Sequence, residues 1–308
     1  MEGIAAPGWQ CGESGRARSG AREEKEILYL DKRITSFLLA AQSGTIRADR
    51  PYRQAPQTPQ RRTENPPPID PMTTLNVRVW RGNEDGQFAS YQVPRSASQT
   101  VLDVVTYIQR HLEPDLGYRF ACRVGMCGSC AMTVNGKARW SCRTHVAKVV
   151  QGDALEIAPL SNLPVIKDLA TDMTAFFDKW AAAKGQFKGA ATRHDAFASV
   201  EPASPARKAA DAGIECIGCG VCYASCDVVG WRPDYLGPAA MNRAWTLVND
   251  VRDVVGTERL RAVAGDAGCH SCHTQGSCTE RCPKQLAPTA GIAGLKRIVA
   301  KAAIKGEL

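Results

Sequence analysis

The sequence predicts an α+β fold, in which a small β-sheet with one crossing helix is followed by an all-helical region. Apolar and polar side chains alternate in short stretches between residues 75 and 160, which is typical of half-buried strands. Beyond residue 165 the apolar side chains recur at helical spacing. All but one of the thirteen cysteines fall in three short segments, and 308 residues have room for about two domains.

Residues 1–71 differ from the rest, because they are rich in Pro, Gln, Arg and Thr and have no sustained apolar period. We expect a disordered extension there, with folding from Met72 onward. The N-terminus has no charged start followed by an apolar core, so we expect a reducing compartment in which the thiols bind metal.

The first elements follow in order from the apolar pattern. A strand is predicted from Leu75 to Val79, a turn at 82–86 and a second strand at 88–93. Thr100 then caps a helix. The apolar side chains on one face of this helix are Leu102, Val105, Ile108 and Leu112.

A long loop at 118–130 leads into a predicted hairpin. Its Asn135 and Gly136 favour a type I′ turn because both tolerate positive φ. Residues 153–160 supply a closing strand. The result is a β-grasp-like arrangement, and we assign residues 72–168 to this domain.

The remaining chain, 169–308, is predicted to form an α-helical domain. A helix is expected from 165 to 184, and residues 185–206 form a looser, exposed connection. Apolar residues on the broad face of the expected helix are Leu169, Met173, Phe176, Phe177 and Trp180. Further short helices are expected at 239–252, 259–264 and 290–302.

The long loop of the first domain has the cysteine spacing of a plant-type ferredoxin, C-x4-C-x2-C with a remote fourth cysteine. This spacing predicts a 2Fe-2S cluster. Its ligands would be Cys122, Cys127, Cys130 and Cys142.

The second domain has two runs of the bacterial ferredoxin type, C-x2-C-x2-C-x3-C, in which the fourth cysteine ligates the other cluster. The second run has Gln275 where a cysteine is expected, so one cluster lacks a thiolate. The complete site, a 4Fe-4S cluster, would use Cys216, Cys219, Cys222 and Cys282. The incomplete site, suited to a 3Fe-4S cluster, would use Cys226, Cys272 and Cys278.

Two other metal chemistries fit parts of these runs. Four-cysteine zinc sites also begin with C-x2-C, but they need neither a third cysteine at the next interval nor the final Cys-Pro. The segment from Cys269 to His273 fits the C-x-x-C-H motif of c-type haem attachment. Haem would withdraw Cys272 from the cluster pattern, so we treat Cys269 as a spare thiol.

The formal charge of +8 does not indicate nucleic acid. Three clusters with their thiolates would carry about −2 each, which brings the net charge to about +2. The basic side chains therefore offset the cofactors. The sequence contains no visible catalytic base or substrate pocket, so we predict no catalytic residue in this chain.

From about Thr73 to Lys296 the sequence resembles the iron-sulfur subunits of succinate dehydrogenase and fumarate reductase. The resemblance is carried by the ordered cysteine runs and by DLGYRFACRVGMCGSC, PVIKDLATDM, RPDYLGPAA and CPKQLAPT. It implies a chain that transfers electrons from the FAD of a flavoprotein subunit, through 2Fe-2S, 4Fe-4S and 3Fe-4S clusters, to quinone at a membrane anchor subunit.

The resemblance also implies a location and a quinone site. The chain would lie peripherally on the cytoplasmic face of the inner (plasma) membrane, as part of the tricarboxylic acid cycle and respiratory chain. Trp231 and His273 match positions beside the quinone pocket. The alternatives are fumarate reduction by reverse flow, a multi-cluster ferredoxin-like carrier, or a subunit of another oxidoreductase. The direction of flow and the choice between ubiquinone and menaquinone stay open.

Overall fold

The structure is a computed structural model that describes residues 74–308. The predicted extension at 1–71 lies outside the described residues. The strands are β1 (Thr74–Arg81), β2 (Gln87–Pro94), β3 (Ala131–Val134), β4 (Lys137–Trp140), β5 (Ala154–Ala158), β6 (Val165–Lys167) and β7 (Ala170–Thr171). The α-helices are α1 (Val101–Tyr107), α2 (Thr174–Ala182), α3 (Pro205–Ile214), α4 (Val221–Ala224), α5 (Asp227–Trp231), α6 (Gly237–Val248), α7 (Gly256–Val263), α8 (Ser277–Glu280) and α9 (Pro288–Ile304).

The first five strands form one mixed sheet in the order β2-β1-β5-β3-β4. β1 pairs antiparallel with β2 and parallel with β5, which requires the crossing segment that contains α1. Leu75, Val77 and Val79 of β1 are buried in the core beneath α1. The predicted α+β class, with a sheet followed by helices, is confirmed.

Helix α1 begins as predicted and ends differently. Thr100 and Asp103 form a capping box, in which each side chain accepts the other's backbone N–H. At Ile108–Leu112 the helix widens into a π-helical turn. The wider turn changes the side-chain period, so Leu112 leaves the buried face and is 42% exposed. Its predicted place on that face is wrong.

The hairpin between β3 and β4 turns where it was predicted. Asn135 and Gly136 have φ of 46° and 71°, as a type I′ turn requires. Cys130 lies just before β3 and Cys142 just after β4. Because the two strands are joined by this turn, both cysteines lie at the open end of the hairpin.

The helix predicted from 165 to 184 is wrong over its first third, where β6 and β7 form a two-stranded hairpin instead. The buried carboxylate of Asp168 accepts the backbone N–H groups of Gly82 and Gly117, each at 2.7 Å. These long-range bonds hold Asp168 in the left-handed region, with φ of 52°. The helix starts only at Thr174, whose N–H donates to Asp172.

The helical region packs around α6, which contacts α3, α7 and α9. Met241 of α6 and Leu295 of α9 are fully buried in its core. That core also includes Cys130 and Trp140 from the β-sheet region, so the helices pack directly on the 118–130 loop. Among residues 74–308, no helix is both long and apolar enough to cross a membrane.

Candidate iron-sulfur centres

The loop at 118–130 folds so that backbone N–H groups point at sulfur. Met126 and Cys127 donate their N–H groups to Cys122 Sγ at 3.2 and 3.3 Å, and Cys122 donates to Cys127 Sγ at 3.5 Å. Such donors stabilise thiolate charge. The loop therefore already has the form of a cradle for anionic sulfur.

Two glycines make this cradle possible. Gly125 and Gly128 have φ of 75° and 74°, where other residues are strained. A Cβ on Gly125 would lie 3.2 Å from the Trp140 ring, and a Cβ on Gly128 would lie 2.5 Å from the Cβ of Cys219. The loop backbone thus lies against the cysteine run of the helical region.

The four predicted 2Fe-2S ligands come together in two environments. Cys127 is exposed, and hydrogen bonds from the Ser129 hydroxyl and from the Cys122 N–H lower its pKa to about 6. Burial, with Cys130 close by, raises the pKa of Cys142 to about 12. The Cys127 thiol is therefore readily ionised, whereas the Cys142 thiol needs a positive partner to ionise.

A second group of thiols lines a cavity at the centre of the helical region. Burial raises the pKa of each thiol in the 216–222 run, and most strongly that of Cys222. Cys282 is close enough to each of them to raise their pKa values further. The four cysteines that line this four-thiol cavity are Cys216, Cys219, Cys222 and Cys282.

A third group lines a neighbouring cavity, with three cysteines. Cys226, Cys272 and Cys278 line this three-thiol cavity beside Gln275. The Sγ of Cys278 lies 3.3 Å from the Thr289 hydroxyl. Burial raises the pKa of Cys226 and Cys278, although the backbone N–H groups of α5 partly offset it at Cys226.

The chemistry of these donors fits iron-sulfur clusters. Thiols whose pKa is raised by burial stay neutral unless cations enter their cavity. Bound metal ions supply the positive charge that favours the thiolate form. Within residues 74–308, no three His, Cys, Asp or Glu side chains converge tightly enough to hold a single metal ion. A cluster binds each thiolate through a separate iron, so its thiolates need not converge on one ion.

The other predicted site residues are more scattered. Trp231, at the end of α5, is 70% exposed and lines a polar cavity, whereas His273 is exposed and lines the three-thiol cavity. The structure does not bring these two side chains into one cavity. Cys269 is fully buried in the helical core and is not among the residues that line either thiol cavity.

One residue near the thiols was missed by sequence reasoning. Trp140 is 6% exposed and lies between Gly125 of the loop and Cys219 of the four-thiol cavity. Cys219 is far from it in sequence, and no local pattern joins the two. The sequence feature that could have pointed to Trp140 is its position two residues before Cys142.

Comparisons with known proteins agree with this geometry. The family model described as 2Fe-2S iron-sulfur cluster binding domain matches residues 74–178, and the one described as 4Fe-4S dicluster domain matches 215–287.

The chain is also similar to named proteins along most of its length. It is 36% identical over 226 residues to the fumarate reductase iron-sulfur subunit of Escherichia coli O6:H1, covering 72% of this chain and 91% of the relative. It is 37% identical over 203 residues to a mitochondrial succinate dehydrogenase [ubiquinone] iron-sulfur subunit of Oryza sativa, covering 64% of this chain and 70% of the relative. Among solved structures, a chain of the Mycobacterium smegmatis Sdh1 complex matches with a TM-score of 0.67 and 27% identity, covering 74% of this chain and 96% of the other.

Proposed function

Because this chain belongs to the family of iron-sulfur subunits of succinate dehydrogenase and fumarate reductase, we propose that it connects the FAD of a flavoprotein subunit to quinone at a membrane anchor subunit. The chain is an electron-transfer subunit of such an oxidoreductase and contains 2Fe-2S and 4Fe-4S domains. When bound, the clusters each accept and release one electron with little rearrangement.

The observation that supports the proposal best is that the three sets of cysteines lie next to one another in a row. Gly128 of the 2Fe-2S loop packs on Cys219 of the four-thiol cavity. Cys222 of that cavity is close enough to Cys278 of the next for their charges to interact. A continuous row of three sites is what transfer between two distant partners requires.

We assign ligands to each site by this grouping and by the cysteine spacing. The assignment places the 2Fe-2S cluster on Cys122, Cys127, Cys130 and Cys142. It places the 4Fe-4S cluster on Cys216, Cys219, Cys222 and Cys282. It places a 3Fe-4S cluster on Cys226, Cys272 and Cys278.

The chain's own residues contribute positioning and charge. Backbone N–H groups around Cys122 hold the outer site in a polar, exposed loop, which suits a site that faces the flavoprotein. Apolar side chains of the helical core pack against Cys219 and Cys222 of the four-thiol site. His273 is exposed at the three-thiol site and Trp231 is exposed at the end of α5, and we propose that both face quinone and the anchor.

The domain limits and the location are part of the proposal. We place a β-grasp domain at 72–168, a helical domain at 169–308 and a dispensable extension at 1–71. The chain would lie peripherally on the cytoplasmic face of the inner (plasma) membrane, held there by the anchor. The names of the relatives support both succinate oxidation and fumarate reduction, so either direction fits the same row of sites.

The test is purification of the complex through a tag on this chain. A flavoprotein and a hydrophobic subunit should co-purify, and the complex should reduce quinone with succinate. The ratio of that rate to the rate of quinol-driven fumarate reduction shows the preferred direction of electron flow. A chain that carries all clusters but purifies alone would support the ferredoxin-like carrier instead. A colourless chain with zinc would overturn the proposal.

A further inference from the structure

The indole N–H of Trp140 is a buried hydrogen-bond donor with no partner among residues 74–308. Buried donors are nearly always paired, and an unpaired one costs free energy. The other indole described near the sheet, that of Trp80, donates to the Asn83 carbonyl at 3.1 Å. The unpaired donor of Trp140 therefore calls for an acceptor that the chain alone does not supply.

The group that this donor faces is the sulfur of Cys219. The two side chains pack in the same core, and the N–H lowers the pKa of the Cys219 thiol without forming a complete hydrogen bond. A neutral thiol is a weak acceptor, whereas a thiolate is a strong one. A thiolate at Cys219 would therefore be the acceptor that this buried donor lacks.

The ring of Trp140 is held in this place from both sides. Gly125 of the 2Fe-2S loop lies against one edge, where even a Cβ would come within 3.2 Å of the ring. The ring belongs to the helical core, together with Cys142 and the packed side chain of Cys219. Since the ring is wedged between two cysteine sites, its N–H cannot readily turn toward another acceptor.

We propose that the Trp140 indole donates a hydrogen bond to the Cys219 thiolate of the loaded four-thiol site and selectively raises the reduction potential of the cluster held there. The proposal rests on the assignment of Cys219 to that cluster. Trp140 acts through a ligand, so it is a positioning and tuning residue.

The direction follows from charge. Reduction adds one electron to the cluster and increases the negative charge on its sulfurs. A hydrogen-bond donor stabilises the more negative state more strongly, which favours reduction. The effect is strong here because the donor is buried and unscreened by water.

The test is Trp140→Phe in the intact complex, which keeps an aromatic ring and removes the N–H. Potentiometric titration followed by electron paramagnetic resonance should show a lower potential for the 4Fe-4S cluster. The expected shift is about a tenfold change in the ratio of reduced to oxidised cluster at fixed ambient potential, which corresponds to about 59 mV for one electron. The 2Fe-2S and 3Fe-4S potentials should move much less.

Trp80→Phe is the matched control, because it removes an indole N–H that donates elsewhere. It should leave all three potentials unchanged. An unchanged 4Fe-4S potential in Trp140→Phe, or an equal shift of all three clusters, would overturn the inference.

A second measurement uses the unaltered protein, in case the variant does not assemble. With tryptophan labelled with ¹⁵N at the indole nitrogen, pulsed electron paramagnetic resonance of the reduced 4Fe-4S cluster should detect a ¹⁵N coupling. Absence of that coupling contradicts the hydrogen bond. Failure of the cluster assignment looks different, since the unaltered complex would then lack a 4Fe-4S signal altogether.

Discussion

The four-thiol and three-thiol cavities are built from two cysteine runs with the same backbone. Each run has left-handed residues at matching places, Gly218 and Thr274 with φ of 64° and 62°, then Gly220 and Gly276 with φ of 79° and 86°. Each run contains a four-residue helix, α4 or α8, which begins five residues after the first cysteine of the run.

The two runs differ in one ligand position, where the first has Cys219 and the second has Gln275. Because the surrounding backbone is the same, the fold does not decide how many irons each cavity takes. We infer that this single side chain decides it.

The largest effect is expected from Cys219→Gln, which makes the four-thiol cavity a copy of its neighbour. The 4Fe-4S signal should disappear, and total iron should fall to about eight per chain. Succinate-driven quinone reduction should fall by more than about tenfold, since even groups one step removed from a metal commonly cost that much.

Cys269→Ala is the control for this change, because Cys269 is buried but lines neither cavity. It should leave iron at about nine per chain. A loss of iron in this control would mean that Cys269 is itself a ligand, and the division of the cavities into four and three thiols would be wrong.

The reverse exchange, Gln275→Cys, should give the three-thiol cavity a fourth ligand. Total iron should rise to about ten, and the resonance of the oxidised three-iron cluster should vanish. The added thiolate brings negative charge and disfavours the reduced state, so the potential should fall and quinone reduction should slow. Persistence of the three-iron signal would show that the backbone, rather than residue 275, sets the cluster type.

The two cavities also differ in their lining, since His273 lines the three-thiol cavity and not the four-thiol cavity. His273→Ala should lower quinone reduction several-fold while succinate oxidation by an artificial dye stays nearly unchanged. His270→Ala, which removes another exposed histidine nearby, should change neither rate. Equal losses in both assays would point to damage to the cluster or the fold.

The smallest effect is expected at Thr274, where the second run adopts the left-handed conformation of Gly218 and a side chain is strained by it. Thr274 is a β-branched residue in the left-handed region, where the first run has glycine. Thr274→Gly should stabilise the protein by about 0.5 to 1 kcal/mol, because it removes the steric penalty and adds a smaller entropy cost. The thermal midpoint of the assembled complex should rise by roughly 2 °C.

Thr257→Gly, in the first turn of α7, should instead lower the thermal midpoint, because it weakens an ordinary helix. An unchanged or lower midpoint in Thr274→Gly would mean that the threonine side chain makes a stabilising contact of its own.

The sequence predicted the parts of this protein that depend on local spacing. The hairpin turn at Asn135, the cap at Thr100 and the cysteine runs each involve residues close together in the chain, so their pattern is visible without the fold. The cavities group the cysteines as the crossover spacing predicted, and the ligand assignment itself stays a prediction.

The parts that the sequence could not predict depend on long-range contacts. The apolar spacing after residue 165 favoured a helix, but Asp168 is held in a turn by Gly82 and Gly117, which lie far away in the chain. The same is true of Trp140, whose donor faces Cys219 only because the hairpin packs on the helical region. Local patterns carry no information about such pairs.

The central claim, that the chain holds three clusters on sets of four, four and three thiolates, is tested most directly on the unaltered complex. Iron analysis combined with electron paramagnetic resonance of the oxidised protein should give about nine irons per chain and the signal of a three-iron cluster. About ten irons without that signal, or zinc in place of iron, would contradict the claim.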